Sequence, residues 1–276
     1  MSVLEDAYED IIAKAQRGHG LSDLELMERS GLSMMEIEAA KSGHFDADSA
    51  PRLADALDLN PEALTAIGAG EYRPKVTLPK GVLSFTTPAP VPGYEEMTVN
   101  SYLVFDPETK DAALFDTGTS LAEPTKAVVD LGLTVKYVVL THTHNDHIEA
   151  LDEARETFKD ARFLCPEGEL LDGTNRIRSG NKFTIGNLHA EARLTPGHSP
   201  AGTTYFITGL EKPVAVVGDA IFAGSVGGMG AEVYAHALDS IRQHILGEAP
   251  ETLILPGHKT ATTVGQELKH NPFFAG

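Results

Sequence analysis

The chain has 276 residues, 42% hydrophobic and 22% charged, which is ordinary for one large soluble domain or a domain of about 200 residues plus a small one. Its net charge of −18, from 22 basic and 40 acidic residues, argues against a general nucleic-acid or anionic-membrane surface, since such surfaces rely on basic patches. One cysteine, Cys165, excludes an intramolecular disulfide; with no apolar signal core and no run of about 18 apolar residues, a cytoplasmic location is the expectation.

In chain order, residues 1–70 predict about five short helices joined by tight turns. Apolar residues fall at three- and four-residue spacings, as in Leu21, Leu24 and Met27, and again in Leu53, Ala56 and Leu57. Ser22, Ser33 and Asn60 are expected N-caps, Pro61 a first helical position, and Gly31 and Gly43 helix stops. Residues 71–81 form a proline-containing linker without helical period. From Val82 to the end, short β-type runs alternate with helices. "SYLVF" and "AALF" predict a hairpin around "DPETKD", "LAEPTKAVVDLG" a helix, and "VKYVVL" a buried strand. "ALDEARETF" predicts a helix and "ARFLC" a strand. "KFTIG", "LHAEARLT", "TTYFI" and "PVAVVG" predict further strands, "AEVYAHALDSIRQHIL" a long helix, and "ETLILPG" a last strand. This order implies a layered α/β domain over 82–276.

Chemistry-bearing residues stand just after the strands. "THTHNDH" follows "VKYVVL" and carries His142, His144, Asp146 and His147. The threonine alternation turns His142 and His144 the same way in an extended loop, while Asp146 and His147 open a helix and face a second point. Downstream, "TPGHSPAG" supplies His198, "VVGDAIF" supplies Asp219 and "LPGHKT" supplies His258. A Pro-Gly-His after a strand is by itself usually only a turn. Five histidines and two aspartates recurring in this setting are the complement for two divalent metal ions bridged by a carboxylate. Zinc is the first expectation; iron and manganese accept the same donors. No G-x-S-x-G elbow occurs, and Cys165 sits on an apolar strand, so it reads as core.

"THTHNDH", "TPGHSPAGT", "GDAIF" and "LPGHKTATT" resemble the successive motifs of the metallo-β-lactamase superfamily. The resemblance implies an αβ/βα sandwich with the metals at one edge. It assigns His142, His144 and His198 to the first ion, Asp146, His147 and His258 to the second, and Asp219 as bridge. "LFDTG" resembles an earlier motif, whose aspartate, here Asp116, would buttress the metal loop or simply shape a turn. The implied reaction is hydrolysis by a metal-bridging hydroxide, with Asp146 as the catalytic orienting group. Asp219 stands where the commonest β-lactamases carry cysteine, which argues against antibiotic cleavage. "GDAIFAGSVGG" and the ending Glu267, Asn271, Pro272, Phe273 resemble glyoxalase II-like thioester hydrolases. Gly228 replaces their usual arginine, and no basic C-terminal helical domain follows, so the leaving group is left open. A lactonase and a mononuclear-iron persulfide dioxygenase are the alternatives on the same scaffold. The expected partner is a small-molecule substrate, with neither nucleic acid nor membrane.

Other side chains carry weaker readings. Arg176, Arg178 and Lys182 could receive an anionic substrate tail, although a solvated turn explains them better. Tyr94, Tyr205 and Met229 could line the pocket mouth or simply pack.

"LMERSGLS", "EIEAAKSG" and "APRLADALDLNPEAL" resemble a phage-repressor-type helix-turn-helix, implying a DNA-binding regulator as the reading of another class. Residues 1–70 hold 14 acidic against 5 basic side chains, and Glu36 and Glu38 would face phosphates. A structural cap, or one through which a homodimer forms, is the preferred expectation.

Overall fold

The computed structural model describes residues 4–276 apart from 92, 94 and 170; Tyr94 therefore lies outside the described residues. Five helices come first: α1 (Tyr8–Gly18), α2 (Asp23–Ser30), α3 (Met34–Lys41), α4 (Ala50–Ala56) and α5 (Pro61–Gly68). The caps lie where expected. Ser22 and Ser33 form capping boxes with Glu25 and Glu36, and Asn60 accepts from Ala63 N ahead of Pro61. Gly31 ends α2 in the left-handed region at φ 64°. One expected stripe is corrected: Leu24 is 61% exposed, and α2 buries Leu26 and Ser30 instead. The spacing permits two faces, and packing against α4 selects the one holding Leu26.

Two six-stranded sheets follow. The first comprises β1 (Val82–Pro88), β2 (Thr98–Phe105), β3 (Asp111–Phe115), β4 (Thr134–Val139), β5 (Arg162–Pro166) and β6 (Asn175–Ile177), in that order. β1 to β3 are antiparallel, and β3 to β6 parallel. α6 (Ala122–Leu131), the four-residue α7 (Asn145–Ile148) and α8 (Leu151–Thr157) form its crossovers. The second sheet contains β7 (Lys182–Ile185), β8 (Leu188–Leu194), β9 (Thr203–Thr208), β10 (Val214–Gly218), β13 (Leu253–Pro256) and β14 (Thr262–Thr263). Between β10 and β13 run a small hairpin, β11 (Ile221–Phe222) with β12 (Ser225–Val226), and α9 (Ala231–Ile241), whose end widens into a π turn at Arg242–Leu246. α10 (Val264–His270) closes the chain.

Apolar burial fixes the layering. Between the sheets lie Val104, Ala113, Phe115 and Val139 from one side and Ala192, Tyr205, Val216 and Leu255 from the other. Alternate residues of the first sheet, such as Leu103, Leu114 and Val138, face outward onto Leu151 and Ala154 of α8. Outward residues of the second sheet, Ala215, Val217 and Ile254, share one buried cluster with Ile241 of α9 and with Ile11, Ile12, Leu53 and Leu64 of the N-terminal helices. The result is an αβ/βα sandwich with the first five helices built onto its α9 side.

Candidate metal centre

Every donor lies at or just beyond the C-terminal end of a strand, along one edge of the sandwich. His142 and His144 leave β4, His198 follows β8, Asp219 follows β10 and His258 follows β13. Asp146 and His147 sit in α7, the single turn opened after the loop. Two donor groups result, each with ligand atoms within 4.8 Å of one another: His142, His144, His198 and Asp219; and Asp146, His147 and His258. Asp219 joins them. Its Oδ2 lies 3.4 Å from His198 Nε2 and 3.2 Å from His258 Nε2, while its Oδ1 lies 3.4 Å from His147 Nε2. Asp146 Oδ2 is 3.5 Å from His258 Nε2 and 3.7 Å from His147 Nε2.

The outer ring nitrogens are held by the protein. His147 Nδ1 lies 2.8 Å from Asp116 Oδ2, His258 Nδ1 2.6 Å from the Thr98 carbonyl and His198 Nδ1 3.1 Å from the Gly228 carbonyl. Such bonds set tautomer and ring orientation and leave Nε2 for a metal. His144 is turned the other way, its Nδ1 2.9 Å from His198 Nε2.

The donor set fits metal ions. His142 Nε2, His147 Nε2 and Asp219 Oδ1 are buried without a hydrogen-bond partner, yet all belong to the cluster. Buried polar atoms of this kind are costly unless a cation satisfies them. Burial holds the His142 and His198 imidazoles below their ordinary value, so they stay neutral. Burial also lowers His258, but Asp219 outweighs it and raises the ring to about 9. His147 is likewise raised despite burial, by Asp219 and Asp116. Burial would raise Asp219, and His147 and His258 instead hold it well below the carboxylate range. Protons thus occupy places that a cation would take.

Asp116 is a buttress. Its Oδ1 accepts from Thr141 N at 2.8 Å and its Oδ2 from Thr141 Oγ1 at 2.7 Å, beside the His147 contact. It holds φ at 53°, and Lys259, next to His258, at 55°, so left-handed non-glycine backbone flanks the site on both sides. Gly257 is required by close approach: a Cβ there would fall 2.1 Å from Asp219 Oδ1 and 2.5 Å from His147 Cε1.

Sequence reasoning missed one carboxylate, Glu169, and gave a second, Glu267, no role. Glu169, in the loop after β5, accepts from Thr143 Oγ1 at 2.6 Å and from Ser199 Oγ, joining the β4 loop to the His198 loop. No spacing rule marks it, because both partners are hydroxyls far along the chain. Glu267 was legible only through the terminal motif. It accepts from Tyr72 OH, Thr262 Oγ1, Gly224 N and Asn271 Nδ2 at 2.7–2.9 Å, and Asn271 also donates to the Ser225 carbonyl. This network holds the glycine-rich loop after Asp219.

The remaining candidates are engaged in packing or in bonds to other residues, Met229 against Gly197 beside His198. Arg178 pairs with Glu167, Arg176 donates to the Glu169 carbonyl and Lys182 lies 4.0 Å from Glu191. Tyr205 is fully buried and donates to the Leu140 carbonyl, and Met229 is buried. Cys165 is fully buried, its thiol pushed up to about 11 by burial. A cleft of about 500 Å³ opens beside Asp146, walled by Pro88, Val91, Met97 and Thr119. Among the described residues, no helix is long and apolar enough to cross a membrane.

The chain is similar to several known proteins. The probable metallo-hydrolase YqgX of Bacillus subtilis is 29% identical over 202 residues, covering 64% of this chain and 92% of its own. Hydroxyacylglutathione hydrolase GloC of Haemophilus influenzae is 31% identical over 208 residues, covering 67% of this chain and 95% of its own. The crystal structure of ETHE1 from Myxococcus xanthus superposes with a TM-score of 0.55 at 28% identity, covering 64% of this chain and 80% of that one. The profile described as "Metallo-beta-lactamase superfamily" matches residues 94–258, a span from before the β4 loop to His258 itself. With that span, the sandwich and the clustered donors in agreement, the chain belongs to the metallo-beta-lactamase superfamily.

Proposed function

We propose that the protein is a dinuclear metal-dependent hydrolase that cleaves a thioester or related ester of a small molecule. The observation that carries this reading is Asp219, whose two oxygens face both donor groups. His142, His144 and His198 would hold one ion, Asp146, His147 and His258 the other, and Asp219 both. Two divalent ions, zinc first among them, supply Lewis acidity toward an acyl oxygen and a hydroxide near neutral pH. Asp146, the least buried carboxylate of the cluster, orients the attacking water from the side of the 500 Å³ cleft. Asp116 keeps the proton on His147 Nδ1, and the Thr98 and Gly228 carbonyls keep those on His258 and His198. Pro88, Val91 and Met97, on the apolar side of the cleft, would accept an acyl chain.

A thioester suits this donor set because a thiolate leaves near neutral pH without a general acid, whereas an amine must first be protonated. Similarity to hydroxyacylglutathione hydrolase supports the same class. Elemental analysis of protein purified without added metal, paired with turnover of simple thioesters and lactones, tests the reading. Two ions per chain and thioester hydrolysis are expected. A single iron with no hydrolysis would sink it in favour of oxygenase chemistry, and turnover confined to lactones would move the substrate class.

A further inference from the structure

Helix α1 lies over the glycine-rich loop at the rim of the metal centre. Lys14 Nζ donates to the Val226 carbonyl at 2.8 Å, pairs with Asp6, and sits 5.2 Å from the centroid of the Phe222 ring. Phe222 in turn packs 5.8 Å from the His258 ring. Two residues along the loop, a Cβ on Gly228 would meet only Arg17 Nη1 and Lys14 Cε, both at 4.0 Å. The carbonyl of the same Gly228 holds His198 Nδ1. One loop residue therefore has a donor histidine on one side and a guanidinium on the other.

The cations of this rim are not equivalent. Lys14 is committed to Asp6 and Val226. Lys259 shares its surroundings with the half-buried Glu5 carboxyl, which also faces His258, Asp6 and Lys14. Arg17 is exposed and, among the described residues, its side chain makes no hydrogen bond or ion pair. Its backbone is nevertheless fixed. Gly18 packs flush against Tyr234 of α9, where a Cβ would fall 2.3 Å from the ring, and His19 meets that ring edge-on at 5.1 Å. A protein of net charge −18 repels anions at long range, so an anionic ligand needs a local cation of this kind.

We propose that Arg17 is the docking cation for an anionic group, carboxylate or phosphate, on the part of the substrate remote from the scissile bond. This rests on the hydrolase reading above and narrows it to acidic thioesters or esters. A guanidinium takes either anion through paired N–H bonds. The N-terminal helices are then part of the substrate site.

The test is calorimetric binding to the metal-loaded full chain, wild type and Arg17→Gln. The probes are S-hexylglutathione for carboxylates and S-ethyl coenzyme A for phosphates. Their neutral counterparts are the N-acetyl diethyl ester of S-hexylglutathione and N-acetyl-S-ethylcysteamine. At least one anionic probe should bind the wild type, with Kd raised about tenfold in Arg17→Gln, while its neutral counterpart changes by less than about twofold. The probe that responds identifies the anion. Unchanged Kd for both anions, no binding of either by the wild type, or equal loss with the neutral probes overturns the proposal. Turnover separates the two readings. A wild type that binds an anion through Arg17 but hydrolyses none of the corresponding thioesters removes the hydrolase assignment and leaves the docking site standing. Where hydrolysis occurs, Arg17→Gln should raise KM for the acidic thioester more than it lowers kcat.

Discussion

Glu169 Oε2 accepts a hydrogen bond from Thr143 Oγ1 at 2.6 Å, and its other oxygen accepts from Ser199. Thr143 lies between His142 and His144, and Ser199 follows His198. One carboxylate therefore sets the spacing of three imidazoles carried by two different sheets. Glu169→Ala should weaken metal binding at the His142/His144/His198 group by about 10- to 100-fold and leave the Asp146/His147/His258 group nearly intact. Glu169→Gln should recover much of the loss, since an amide can accept from Thr143 and donate to Ser199. Cobalt titration against a competing chelator reads the two affinities; equal losses at both groups would show that Glu169 acts only on the fold.

Asp219→Ala should lose metal and activity together, because the side chain faces both donor groups. Hydrolysis should fall by about a hundredfold or more, in line with removal of a group acting directly at the reacting centre. Elemental analysis alongside turnover checks it. Two retained ions with full turnover would remove the bridging assignment.

Gly257→Ala introduces a methyl 2.1 Å from Asp219 Oδ1. Relieving that overlap must move Asp219, His147 or the β13 loop, at a cost of about 1–3 kcal/mol. Metal occupancy should drop more than the stability of the metal-free fold. An alanine variant that binds two ions normally would mean that the loop relaxes freely.

Metal-free and metal-loaded protein should respond oppositely to alkali. In the metal-free fold His258 titrates at about 9, above its ordinary 6.5. Its contribution to stability is therefore complete below about 6.5 and is lost as pH rises toward about 9. Asp219 is shifted down, so its contribution is present above the ordinary carboxylate value and is lost on acidification. Chelator-treated protein should melt at lower temperature at pH 9 than at pH 6.5. Metal affinity should rise over the same window, with protons released on binding. Melting curves and titration in two buffers of different ionisation enthalpy check both. A metal-free protein more stable at pH 9 than at 6.5 would contradict the charge arrangement.

The fold was legible wherever local chemistry repeats. Ser22, Ser33, Asn60, Pro61 and Gly31 mark helix ends through bonds made within three or four residues, and all five act as expected. Most strands from Val82 to Pro256 were visible as short β-type runs, "VKYVVL" as a continuous apolar one. Lost were β6, too short and charged at Asn175–Ile177, the two-residue strands β11, β12 and β14, and α10, whose burial rests on contacts with α5 and the π turn and not on its own period. Leu24 fell on the wrong face because two helical stripes overlap in α2. At the centre, the seven donors follow strand ends and could be read in order. Glu169 and Arg17 could not. Glu169 bonds hydroxyls distant in sequence, and Arg17 comes near Gly228 only through the packing of α1 on the glycine-rich hairpin.

The first sheet supplies His142, His144, Asp146 and His147, and the second supplies His198, Asp219 and His258. In the ligand assignment proposed above, each ion would draw on both leaves. Ions seated here would act as rivets between two leaves whose interior is otherwise held by side-chain packing. Occupancy would then report assembly: a molecule carrying both ions has brought its leaves into register, and one with a slipped strand or an undocked leaf is bared to chelators first.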